Sequence, residues 1–289
     1  MCNYCDIINW SDLIGAVIGA LISGFFAVLL FYFGLRHERK KDILKRQIEL
    51  NDHLDYLKAA ISGITGKVNE QSDFIDSFVK KLNEKNFKRK ELTKTQNINS
   101  SSLKAIPLLE IKKAFSSKEE LGHKTFSKFV DCSDSLDFLT ENLINYFNLF
   151  GKEFMRIQNM YNEGITGVQN IIEEYKKFLI VNHQDVSKDP LILFWIKLLK
   201  DWNSIDESEK DLIKTDPYIT IEKLINPLKN ELSTLDLGYN ATLRFHIRTC
   251  LGAIEDFEHQ QKEFSEMFSN LSSSYKKLGI KLNEIKNCL

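Results

Sequence analysis

The residues of this chain that are able to do chemistry are scattered rather than clustered. Its six histidines (His37, His53, His123, His183, His246, His259) include no i, i+4 pair and no His-Glu-x-x-His arrangement that would hold zinc from one helix face. His183 lies near Asp185, and His246 lies between Arg244 and Arg248, but neither set has the order of a nucleophile, a base and an orienting group. Gly-rich phosphate loops, nucleophile elbows, kinase signatures and EF-hand spacing are all missing from the sequence. Cys2 and Cys5 make one Cys-x-x-Cys with no second pair to complete a metal site. The five cysteines (with Cys132, Cys250 and Cys288) are sparse and odd in number, unlike a disulfide framework. The expectation is a protein without catalytic residues, metal or cofactor.

Two further groups suit association rather than catalysis. Gly15, Gly19 and Ser23 fall four apart, with Ala16, Ala20 and Gly24 beside them. Such small-xxx-small spacing lets two helices approach closely in lipid. Lys80, Lys81, Lys85, Lys88, Arg89, Lys90 and Lys94 stand against Glu84 and Glu91. Within this patch Lys85, Lys88, Arg89 and Lys90 are the candidate contacts for an anion or a nucleic acid. A solvated face is the favoured reading.

The element that must carry the first group is plain. Leu13 to Leu35 is a run of 23 residues without a charge. As a helix it is roughly 35 Å long, enough to cross a hydrocarbon core of about 30 Å. Residues 1–35 contain Asp6 and Asp12 and no Lys or Arg, whereas Arg36, Arg39, Lys40, Lys41, Lys45 and Arg46 follow at once. The positive-inside bias places residues 1–12 outside and the rest in the cytoplasm. An acidic n-region, a long apolar core and a basic stop argue against a cleaved signal peptide. Beyond residue 35 lie all 39 basic residues and all but two of the 40 acidic ones, so the body is nearly neutral and lacks the bulk charge that holds nucleic acid.

That body reads as long helices. From Ile43 the spacing alternates four and three through Gln47, Leu50, Leu54, Leu57, Ile61, Ile64, Val68, Gln71, Ile75, Phe78 and Leu82, and ten of these twelve positions are apolar. A 3.5-residue seam of this length predicts a coiled-coil-like helix over 36–88, with Gly63 and Gly66 marking a bend. The same pattern recurs from Leu243 to Ile285, broken by Gln261 alone. Residues 134–181 repeat it with extra apolar residues off the seam, among them Phe138, Leu139, Ile144, Leu149, Met160, Ile165 and Phe178. A wider stripe predicts more than one neighbour, which would put this helix at the centre of the bundle.

Residues 89–105 read as a polar linker and 106–289 as the bundle body. Asp189-Pro190 and Asp216-Pro217 look like N-caps followed by proline at N1. Pro227 should end or kink what precedes it. The segment Leu191 to Trp202 suits either a membrane-surface helix or, preferably, a buried one. The predicted fold is all-α: one N-terminal transmembrane helix, then a cytoplasmic antiparallel bundle of long helices.

This layout resembles that of membrane-bound effectors and abortive-infection proteins of bacterial phage defence, a likeness of architecture that transfers no site residue. It implies an inner-membrane effector or sensor whose bundle controls anchor assembly, with a scaffold or tether as the alternative. The expected partners are the lipid bilayer, further copies of the chain and a cytoplasmic protein. Nucleic acid is the least favoured.

Overall fold

The computed structural model describes residues 10–84, 87, 90–92, 98–117, 122–204, 216–234 and 240–289. Nearly all of these are helical, without a strand among them. Helix α1 (Trp10–Leu82) runs 73 residues without a break, about 110 Å at 1.5 Å per residue. The chain then passes through α2 (Leu108–Ser116), α3 (Gly122–Val181), a 3-10 turn (Val186–Lys188) and α4 (Pro190–Asn203). A short α5 (Pro217–Thr220) continues through a π-helical turn (Ile221–Ile225) into α6 (Asn226–Leu232), and α7 (Asn240–Cys288) closes the chain.

The apolar seams become the core. On α1, Leu54, Leu57, Ile61, Ile64, Val68, Ile75, Phe78 and Leu82 are all buried. They meet the first half of α3, from Phe129 to Phe150, and the second half of α7, from Phe264 to Ile285. Ring contacts at Phe78 mark the junction: its centroid lies 5.6 Å from Phe150 and 4.9 Å from Phe268, both edge-on. Edge-to-face pairs contribute about 0.5–1.5 kcal/mol beyond their buried area. A second core joins Phe154–Leu179 of α3 with Leu243–Phe257 of α7, and α4 to α6 close it. Phe87, just past the end of α1, joins this second core against Phe257 at 4.4 Å and Phe154 at 5.5 Å.

Helix α7 runs antiparallel to both of the other long helices. Lys128 pairs with Glu284 and Arg156 with Asp256 along α3. Along α1, Ser72 meets Ser272 and the Leu82 carbonyl meets Gln261. The helix shared by both neighbours is therefore α7, not the middle helix predicted from its wide stripe. Leu139 is buried and Met160 and Ile165 are partly so, but Phe138, Ile144, Leu149 and Phe178 face outward. The outward-facing Phe138, Ile144 and Leu149 thus do not mark a second long neighbour for α3.

Backbone chemistry follows the sequence closely at the short helices. The Asp189 carboxylate accepts from the Ile192 amide at 3.0 Å, and Asp216 accepts from Tyr218 at 3.0 Å. Each satisfies an amide that the first turn leaves unpaired. Pro227 neither stops nor sharply breaks its helix, because the π turn before it shifts the hydrogen bonding, with the Asn226 amide reaching the Ile221 carbonyl. Helix α4 is a core helix: Leu191, Ile192, Trp195 and Leu198 are buried. Gly63 and Gly66 lie inside the unbroken α1.

Glycine is required where α3 crosses α7. A Cβ on Gly164 would lie 2.9 Å from the Cys250 amide nitrogen and 3.1 Å from the His246 carbonyl, both backbone atoms that cannot swing aside. Gly164→Ala is therefore expected to destabilise the body by about 1–3 kcal/mol, the usual cost of overpacking. Phe78→Ala should cost about 3–5 kcal/mol by emptying the three-helix junction. Denaturant unfolding of the solubilised protein measures both, and a wild-type midpoint for either variant would contradict this packing.

Candidate functional site

The exposed half of α1 is where the structure departs most from an ordinary soluble helix. Every described side chain from 14 to 49 is exposed except that of residue 29, which is half-exposed. Within this length an 18-residue window has a mean hydropathy of 2.5 with none of it buried, so α1 is long and apolar enough to cross a membrane. Ile18, Leu21, Phe25, Leu30 and Phe31 each present half or more of their surface. A contiguous apolar surface of this size marks a place that a membrane or another protein covers.

The small-residue stripe lies on this surface. A Cβ placed on Gly15, Gly19 or Gly24 meets nothing within 4 Å, in contrast to Gly164, Gly167 and Gly279, which are crowded by other helices of the same chain. The Ser23 hydroxyl donates to the Gly19 carbonyl at 2.7 Å, so its polar atom is satisfied within the helix. That matters in lipid, where an unpaired donor costs several kcal/mol. Gly15, Gly19 and Ser23 thus present a shallow, internally satisfied strip of backbone.

Beyond the apolar run, Ile43, Leu44 and Ile48 remain exposed, and the seam first becomes buried at Leu54. Residues 36–49 therefore form a free-standing stalk. At its root, Asp42, Lys45, Arg46, Glu49 and His53 face Glu110 and Lys113 of α2 across a polar cleft of about 280 Å³. The hydrogen bond from Lys113 holds the Glu110 carboxyl below its ordinary range, and the fields of His53 and Arg46 act the same way.

Of the basic patch, Lys85, Lys88 and Arg89 lie outside the described residues, as do Cys2 and Cys5. Lys90 is buried and pairs with Glu84 at 3.3 Å. Loop residues on either side pack inward: Leu92, Ile98 and Leu103 are buried, and the Ser100 amide and hydroxyl both donate to Asp137. No group of three His, Cys, Asp or Glu side chains among the described residues is placed to hold a metal ion.

Two polar connections escaped sequence reasoning. The Ser72 and Ser272 hydroxyls lie 3.0 Å apart, Ser272 donates to Asp76 at 2.6 Å, and Lys276 donates to the same carboxylate at 2.7 Å. Burial alone would raise the Asp76 carboxyl, but these two donors outweigh it and hold the group below its ordinary value. The second connection is Gln261, whose amide donates to the Leu82 carbonyl at 2.7 Å and the Glu84 carbonyl at 3.3 Å, capping the end of α1. Its signal was present as the one polar residue in the α7 seam.

Comparison of the chain with protein-family models, with curated proteins and with solved structures returns no match.

Burial pushes the Cys250 thiol up to about 12 and raises Cys132 as well, whereas Cys288 is exposed. Only a thiolate attacks a maleimide at useful rates. With Cys2 and Cys5 replaced by serine, the native protein should label at Cys288 and leave Cys132 and Cys250 protected until denatured. Rapid native labelling at Cys250, read by peptide mass spectrometry, would contradict the close α3–α7 contact.

Proposed function

We propose that this protein is a single-pass membrane protein, with its helical body in the cytoplasm, that acts by association as a bacterial inner-membrane effector or sensor. The observation that carries this reading is the continuity of α1. One helix begins in the exposed apolar run and ends clamped in the core at Leu82. A change in the body's position or packing is passed to the anchor without an intervening joint. At the far end of that helix lie the unpartnered Gly15, Gly19 and Ser23, which is the surface a second copy would use. The resemblance in layout to phage-defence effectors supports an output at the membrane, such as depolarisation or growth arrest on assembly. The activating partner binds the cytoplasmic body. Nucleic acid is disfavoured as that partner, since Lys90 is already buried and ion-paired.

Charge asymmetry sets the orientation. An alkaline phosphatase fused after Leu289 should be inactive, and strong periplasmic activity there would reverse the topology. Assembly is tested at Gly19. Gly19→Ile places a branched side chain where two helices must touch, so crosslinking between copies in membranes should drop at least several-fold while the body stays folded. If overexpression perturbs the membrane potential, the same substitution should relieve it. A protein that is monomeric and harmless with or without Gly19→Ile is a tether holding a partner at the membrane, and the effector reading then fails.

A further inference from the structure

The collar below the span has a geometry that a topology signal alone does not require. Arg36, Arg39, Lys40, Lys41, Lys45 and Arg46 are all exposed, and Glu38 and Asp42 offset only two of the six charges. No ion pair or hydrogen bond ties any of the six to another described residue; Arg46 acts on Glu110 only through its field. With each residue turning about 100°, they stand near 0°, 300°, 40°, 140°, 180° and 280° around the axis, and the widest gap is about 100°. A docking face for one protein would gather its charges on one side. This arrangement surrounds the helix.

Its depth is equally specific. Arg36 to Lys41 reaches about 9 Å along the axis from the end of the apolar run, and Arg46 lies about 16 Å from it. The headgroup layer on each side of a bilayer is roughly 5–8 Å thick, and the long Lys and Arg stems extend the reach of the charges. The first four cations therefore lie at the level of the lipid phosphates with an open arc of about 160°, and the last two, which fall within that arc, lie further down the helix and close the ring.

We infer that residues 36–46 form an anionic-lipid ring, binding the headgroups of negatively charged phospholipids around the full circumference of α1. Bare cationic rings on two copies would repel where their anchors must approach; bound headgroups remove that repulsion. Assembly of the anchors is thereby tied to the lipid composition of the leaflet. The inference rests on Leu13–Leu35 spanning a membrane.

The test uses the full chain in nanodiscs of phosphatidylcholine mixed with phosphatidylglycerol. Lipid retained on mild delipidation should be enriched several-fold in phosphatidylglycerol. Arg36→Gln, Arg39→Gln, Lys40→Gln and Lys41→Gln together should bring the ratio to parity, while the pair Arg36→Lys and Arg39→Lys keeps it. Inorganic pyrophosphate, the soluble phosphate source, should not displace the lipid. Equal retention of both lipids by the wild type would overturn the inference, as would enrichment that survives the four glutamines or displacement by pyrophosphate. Both faces of a nanodisc are accessible, so a reversed topology would sink the orientation proposed above and leave this result intact. A chain that does not enter nanodiscs at all would sink both.

Discussion

Helix α7 has to satisfy two cores with one seam, and the rest of the body is arranged around that constraint. Its second half closes the core shared with α1 and the first half of α3; its first half closes the core shared with the second half of α3 and α4 to α6. Because α1 ends at Leu82, α7 loses one of its two long partners partway along. Three devices cover the loss. Phe87 plugs the space beneath the helix end, Gln261 takes up its terminal carbonyls, and the short helices replace the missing wall. Below that level α3 comes close enough to α7 that Gly164 and Gly167 are needed. The long-helix register is fixed where the seam admits polar atoms, at Ser72, Asp76, Ser272 and Lys276. Cross-linked polar groups of this kind give direction to a seam that apolar residues alone would let slide.

The helices were largely legible in the sequence because each long one has a single buried stripe, and a single stripe leaves a period. Leu54 to Leu82 and Leu243 to Ile285 are buried at the positions the 3.5-residue spacing marks. The Asp189 and Asp216 caps were legible for the same local reason, a side chain bonding an amide two or three residues on. What the sequence did not show was which helix stands between the others. Stripe width suggested α3, but width records how many apolar residues a helix carries, not how many neighbours it has. Phe138 and Leu149 are apolar and exposed. Centrality belongs to α7, whose stripe looks narrower because its two neighbours share one seam. The Gln261 cap spans 179 residues of sequence, a separation at which no spacing rule operates.

At the candidate site the opposite holds. The span, the small-residue stripe and the collar are local features, fully visible in residues 13–46. The structure adds exposure: none of the described residues covers them, and none packs on the glycines there. It also joins them to the body through a single helix, in keeping with a predicted helix over 36–88 that directly follows the span.

That junction has a physical consequence. The stalk of residues 36–49 buries nothing, and an isolated helix of so few residues is marginal in water because the first turn is costly to nucleate. Here neither end has to nucleate. On the proposed membrane reading the span is held helical by lipid, where unpaired backbone groups are prohibitively costly, and the segment from Leu54 onward is held by the core. The stalk needs only to propagate between them, at close to zero net free energy per residue. Its helicity therefore depends on both ends being held. Under the same reading, loosening the packing of Leu54 to Val68 would fray the stalk from below and uncouple the apolar end of α1 from the body. The body's folding stability and the presentation of Gly15, Gly19 and Ser23 are thus coupled through the same run of backbone hydrogen bonds.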